Sequence, residues 1–132
     1  MINFNTVFRP SDNSGFKKAK CLGSVNNIKN LNINNICIAV VKSCKRKSKL
    51  VKKSDIIRTL VTHTKLYNFK KYKSIKFHNN SLVLLNKKSY SIGEDKYQLK
   101  DTSKIKLIGI IPSLVMDKLS KYKLNLKKAT FI

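Results

Sequence analysis

Residues 42–53 carry seven basic side chains and no acid: Lys42, Lys45, Arg46, Lys47, Lys49, Lys52 and Lys53. Cations in such a run do not transfer protons near neutral pH; they neutralise phosphates. A second cluster interleaves Lys65, Lys70, Lys71, Lys73 and Lys76 with Tyr67, Phe69 and Tyr72. That mixture suits phosphate contact combined with stacking on bases or riboses. The same aromatics could equally pack the root of a hairpin, and both readings stay open. A third group, Arg9, Lys17, Lys18 and Lys20, flanks a segment dense in turn formers. The candidate nucleic-acid contacts are Arg9, Lys17, Lys18 and Lys20, then Lys45, Arg46, Lys47, Lys49, Lys52 and Lys53, then Lys70, Lys71 and Lys73. Of the 29 basic residues only Arg9, Arg46 and Arg58 are arginine. Lysine is a hydrated point charge, adequate for phosphate and poor at reading base edges, so the pattern favours backbone and shape over base sequence.

Other chemistries are poorly supplied. The acids are Asp12, Asp55, Glu94, Asp95, Asp101 and Asp117. Glu94 and Asp95 are adjacent, which makes a poor acid/base pair on a strand, and a solvated loop is the simpler reading. For acid/base work near neutral pH the chain offers His63 and His78, with no carboxylate cluster suited to metal-assisted hydrolysis. Cys21, Cys37, Cys44, His63 and His78 match no zinc-ligand spacing. Cys21 and Cys37 lie in apolar runs, where a reduced thiol behaves as a small hydrophobe. No catalytic residue, metal or cofactor is expected.

The chain has 132 residues, a formal net charge of +23 and 42% apolar residues. Charge of one sign at this density repels itself and calls for a polyanion, RNA or DNA. The apolar content is that of a folded protein, so the charges belong on the outside of a single domain, 1–132. Lys, Asn, Ile, Tyr and Phe weigh heavily, the signature of A+T-rich codons and of a compact organellar or similarly biased genome. Met1 leads directly into a strand-like pattern with no presequence, and no apolar run reaches membrane-spanning length. The expectation is a soluble protein with no membrane partner, made inside the organelle if it works in one.

The elements that must position these cations are short strands. Residues 2–8 alternate with period two and end in the Pro10–Gly15 turn formers. Residues 18–25 form a second strand, with Ala19, Cys21 and Gly23 on one face and Lys18, Lys20 and Leu22 on the other. The Asn-rich stretch 26–35 connects it to a continuous apolar run, 36–41, short enough for a buried strand. After the basic loop, 56–64 is strand again. Residues 75–77 and 82–85 flank Asn79-Asn80, a pair tolerant of left-handed backbone, and are predicted to form a hairpin. A short strand is predicted at 97–99 and an extended segment at 105–111. Pro112-Ser113 opens a helix over 112–123, with Leu114, Val115, Leu119 and Tyr122 at helical spacing, and 124–132 is left as a basic tail. The whole is mainly β: a small barrel with associated strands over 1–111 and short C-terminal helical structure.

The order of motifs resembles the universal large-subunit ribosomal protein fourteen family. Asp12-Asn13-Ser14-Gly15, followed by Lys17-Lys18-Ala19-Lys20-Cys21, resembles that family's turn and cysteine-bearing strand. Val51-Lys52-Lys53-Ser54-Asp55-Ile56 is similar to its Val-Lys-Lys-Gly-Asp-Val. Ile75-Lys76-Phe77 through Leu82-Val83-Leu84-Leu85-Asn86 resembles its hairpin, and Ile92-Gly93 its Ile-Gly-Thr-Arg turn. The spacing agrees from Met1 to about Val115. There are departures: Ser54 replaces a glycine, Asn34-Asn35 replaces Gly-Asp, and Glu94-Asp95 replaces Thr-Arg. The tail beyond about Lys118 extends past the family's usual end. The resemblance implies a five-stranded barrel on the intersubunit face of the large ribosomal subunit. It also implies contacts with large-subunit rRNA, with large-subunit proteins three and nineteen, and with small-subunit rRNA at a bridge. The divergence points to a mitochondrial ribosome in the matrix, with a plastid-type organelle as the alternative. The competing reading of the whole chain is a free single-strand-binding or nucleoid protein on a small barrel.

Overall fold

The computed structural model describes residues 6–24, 32–47, 51–65, 68–70, 73–75, 77–85, 105–121 and 125–132. Among the described residues nine strands succeed one another: β1 Val7–Pro10, β2 Phe16–Ser24, β3 Ile36–Cys44, β4 Ile56–His63, β5 Asn68–Lys70, β6 Lys73–Ile75, β7 Ser81–Leu84, β8 Lys106–Ile111 and β9 Asn125–Phe131. A 3-10 turn, Ser113–Val115, and the helix α1, Met116–Lys121, stand between β8 and β9.

Five strands close a barrel in the order β1-β2-β3-β4-β7. Successive pairs are antiparallel, and β7 returns parallel to β1 to seal it. Alternation decides which side chains go in. Along β2 and β3, Ala19, Cys21, Cys37, Ala39 and Val41 are buried, while Lys18, Leu22 and Lys42 are exposed. Phe8, Ile57, Leu82 and Leu84 complete the interior. Small residues face one another in the middle of β2 and β3 (Cys21 opposite Ala39), which fits the narrow bore of a five-stranded barrel.

The expected 75–77 hairpin partner of β7 is not what the structure shows. Residues Lys73–Ile75 pair with β5, and β7 pairs with β4 and β1. All four β7 residues are buried, so both faces gain more in the barrel wall than an edge hairpin would provide. Residues 97–99 lie outside the described residues.

The C-terminal segment also departs from expectation. Residues 125–131 are strand, parallel to β8, where a tail was expected. A parallel pair needs a long crossover, and the 3-10 turn and α1 lie within it. Ile105, Leu107, Ile111, Val115 and Leu119 are fully buried, and Leu126, Ala129 and Phe131 pack against the same core. The apolar positions 126, 129 and 131 lack a clean period of two, which hid the strand. The register shift between Lys106 and Ile108 accompanies that irregularity.

Candidate nucleic-acid interface

The barrel topology brings cations distant in sequence to one end. The start of β2 lies beside the end of β3: Phe16 pairs with Cys44, Lys18 with Ser43, and the Lys45 amide donates to Gly15 O at 2.9 Å. Register shifts between Phe16 and Ala19 let the consecutive residues Lys17 and Lys18 both face solvent, which a regular strand could not do. Gly15, at φ 104, makes the sharp approach into β2 possible. Arg9 follows Phe8 in β1 just as Lys18 precedes its partner Ala19, so Arg9 joins this level of the wall, exposed.

The β3–β4 connection folds back onto the same end. Lys52 N donates to the Asp55 carboxylate at 2.9 Å, and Asp55 N donates to Lys52 O at 3.2 Å. This turn is fastened to β3 by Ser54 N to Val41 O at 2.8 Å and Val41 N to Asp55 O at 2.9 Å. Val51 is fully buried and anchors the turn. Lys52 and Lys53 are thereby held out to solvent beside Lys42, Lys45, Arg46 and Lys47, all exposed. Asp55, the one acid of this turn, accepts a backbone amide and so serves its geometry.

Of the candidate residues, Lys17, Lys18, Lys45, Arg46, Lys47, Lys52 and Lys53 converge, with Arg9 at the neighbouring strand. Lys20 sits apart, half-buried between Val7 and Val40 on the outer wall. Lys70 and Lys73 are register partners across the separate β5–β6 ribbon, and Lys49 and Lys71 lie outside the described residues. Lys42 was missed as an individual candidate. Its signal was present, since it continues the outward phase of Ile38 and Val40 into the basic run.

Two half-buried polar joints hold this scaffold. Asp12 accepts from Ser14 Oγ at 2.6 Å and Ser14 N at 3.1 Å with one oxygen, and from Leu84 N at 2.8 Å with the other. Burial pushes its carboxyl above the ordinary range, against the lowering effect of these hydrogen bonds. His63 ties the barrel to β8: Nε2 lies 2.6 Å from Ile110 O and Nδ1 2.9 Å from Thr62 Oγ1. The carbonyl can only accept, so Nε2 carries the proton and Nδ1 accepts from the threonine. Burial lowers the imidazole pKa, and the ring meets Phe77 edge-on at 4.4 Å. Among the described residues no three His, Cys, Asp or Glu side chains gather as a metal-holding group.

A closed five-stranded barrel with Lys17, Lys18, Lys42, Lys45, Arg46, Lys47, Lys52 and Lys53 exposed at one end defines a small basic β-barrel protein. Residues 1–98 match the family model described as ribosomal protein L14p/L23e, and the chain belongs to that family. It is similar to the large ribosomal subunit protein uL14 of Carsonella ruddii (strain PV), at 33% identity over 87% of this chain and 100% of that protein. It is also similar to the large ribosomal subunit protein uL14c of Eimeria tenella, at 29% identity over 89% of each chain. A further relative is uL14c of Helicosporidium sp. subsp. Simulium jonesii, at 26% over 87% of this chain and 100% of that protein. The family consists of structural constituents of the large ribosomal subunit, not enzymes.

Proposed function

We propose that this chain holds large-subunit rRNA by the basic end of its barrel in an organellar ribosome. The observation that carries the reading is the convergence of Lys17, Lys18, Lys42, Lys45, Arg46, Lys47, Lys52 and Lys53 on hydrogen-bonded strands and a clamped turn. Each cation neutralises phosphate charge that would otherwise repel as rRNA segments close together, and the barrel wall determines where those charges stand. Lysine dominance makes the contact one of backbone and shape. Arg9 and Lys20, with Lys49 and the Lys70, Lys71 and Lys73 cluster, extend the contact along neighbouring rRNA.

By family resemblance, the position is the intersubunit face, against large-subunit proteins three and nineteen and a small-subunit rRNA bridge. The A+T-type composition and the departures at residues 34–35, 54 and 94–95 support a mitochondrial ribosome. Relatives of the uL14c type keep a plastid-type organelle as the alternative.

The test is RNA binding by the isolated protein across a salt series. With about six phosphates neutralised, log K falls against log salt with a slope near about −5. Affinity that does not change between low and high salt would remove the electrostatic mechanism.

A further inference from the structure

Inside the barrel, Cys21 on β2 and Cys37 on β3 place their sulfur atoms 3.0 Å apart, and both residues are fully buried. Both thiols are free. They come together for a specific reason. Cys21 pairs with Ala39 and Ser24 with Cys37, so regular register would leave the two cysteines as diagonal neighbours. Both residues face inward, and their sulfur atoms meet along that diagonal across a register shift between Cys21 and Gly23. Their separation is about an ångström more than the ~2.04 Å of an S–S bond. Cys44, the third cysteine, pairs with Phe16 at the far end of β3 and does not compete.

We infer that Cys21 and Cys37 are an intramolecular disulfide site which, on oxidation by a peroxide, locks β2 to β3 beneath the basic end of the barrel. The 3.0 Å contact places each sulfur within reach of the other once one is oxidised, and the hydrogen bond between them lowers the pKa of Cys21 and raises that of Cys37. One of the two thiolates attacks a peroxide oxygen, the O–O bond breaks, and hydroxide leaves, taking up a proton to become water. The resulting sulfenic acid is attacked by the other sulfur. The S–S bond forms as the S–O bond breaks, and the proton of the attacking thiol leaves with the hydroxyl as a second water. Two thiols are oxidised and one peroxide is reduced to two waters. The bond closes the 21–37 loop and joins the strands that carry Lys17, Lys18, Lys20 and Lys42, so the oxidised chain resists unfolding more strongly.

The experiment treats the intact protein with hydrogen peroxide, both in the native state and during refolding, then alkylates it under denaturing conditions. The expected product has lost two hydrogen atoms in mass, retains one alkylatable thiol at Cys44, and yields a linked peptide containing Cys21 and Cys37. Its thermal midpoint rises by several degrees and returns on reduction with dithiothreitol. Cys44→Ala should give the same linked peptide and thermal shift with no alkylatable thiol remaining, whereas Cys37→Ala should lose both the linked peptide and the thermal shift. Because the linked peptide is read in the wild-type chain, the result does not depend on any variant folding. Retention of all three alkylatable thiols under both treatments, or oxidation confined to Cys44-bridged dimers, would overturn the assignment.

Discussion

Lys17, Lys18, Lys42 and Lys52 project from a barrel end whose strands are hydrogen-bonded to neighbours on both sides. Lys106, Lys127 and Lys128 are equally exposed but stand on the two-stranded β8–β9 ribbon. At the barrel end, three separate stretches of sequence deliver their cations to one locus, through the β2–β3 pairing and the turn at Lys52–Asp55. On the ribbon the charges are interspersed with exposed Ile108 and Ile110. On the function proposed above, abundant lysine alone would not make a phosphate-binding surface, whereas convergence on a stiff support would. Fields from cations within about one Debye length (~8 Å at physiological salt) add, while those from scattered cations are screened separately.

The largest difference between the two regions should appear on charge reversal. Replacing Lys45, Arg46 and Lys47 with glutamate should leave a folded barrel by circular dichroism and reduce incorporation into large subunits at least tenfold, because three attractions become three repulsions where water is excluded. Lys127→Glu with Lys128→Glu should incorporate nearly normally. Equal incorporation of both variants would mean that convergence is irrelevant.

Core truncation tests the same contrast in stability. Phe8→Ala, in the barrel interior, should cost about 3–5 kcal/mol in denaturant unfolding. Phe131→Ala, half-buried on the ribbon, should cost roughly 1–2 kcal/mol. If the two losses match, the ribbon is as integral to the fold as the barrel wall.

A smaller gain should come from backbone strain at the clamped turn. Ser54 has φ 72, a left-handed conformation that a side chain disfavours. Ser54→Gly should stabilise the protein by about 1 kcal/mol. Asn34, at φ 77, is a residue type that tolerates this region, so Asn34→Gly should gain less. Unchanged midpoints in both variants would show the turns to be unstrained.

The smallest effect concerns the His63 joint between barrel and ribbon. Its folded pKa is lowered from 6.5, so below that value the unfolded chain binds more protons than the folded one. Its stabilising contribution is complete above 6.5 and declines as pH falls below 6.5 toward the folded pKa. The thermal midpoint of wild type should therefore drop slightly more than that of His63→Gln between about pH 7.5 and 5.5. Parallel pH profiles would remove His63 from the joint.

Several elements could be read directly from residue order. Ala19 and Cys21 alternating with Lys18, Lys20 and Leu22 identifies both β2 and its inward face, because burial follows side-chain period. The apolar run of β3 and the strand beginning at Ile56 were equally plain. Ser54 and Asn34 stood out as departures from the glycines of the family motifs they resemble, and both proved to hold the left-handed backbone that glycine favours. Three features were hidden. β7 pairs with strands far away in sequence and not with the segment just before it. β9 is broken in period and rich in lysine. The irregularity that turns Lys17 and Lys18 out together has no local signature, since it arises from the register of a neighbouring strand.

By itself the amino-acid sequence determined the sign and density of charge, the barrel-forming strands with their inward faces, and a motif order that identifies the family. These are local properties of composition, period and turn chemistry. Only the tertiary structure decided which lysines meet at the barrel end, that β7 closes the barrel on β1, and that Cys21 lies against Cys37. Those outcomes depend on strand register and closure, in which a displacement of one residue moves every side chain to the opposite face.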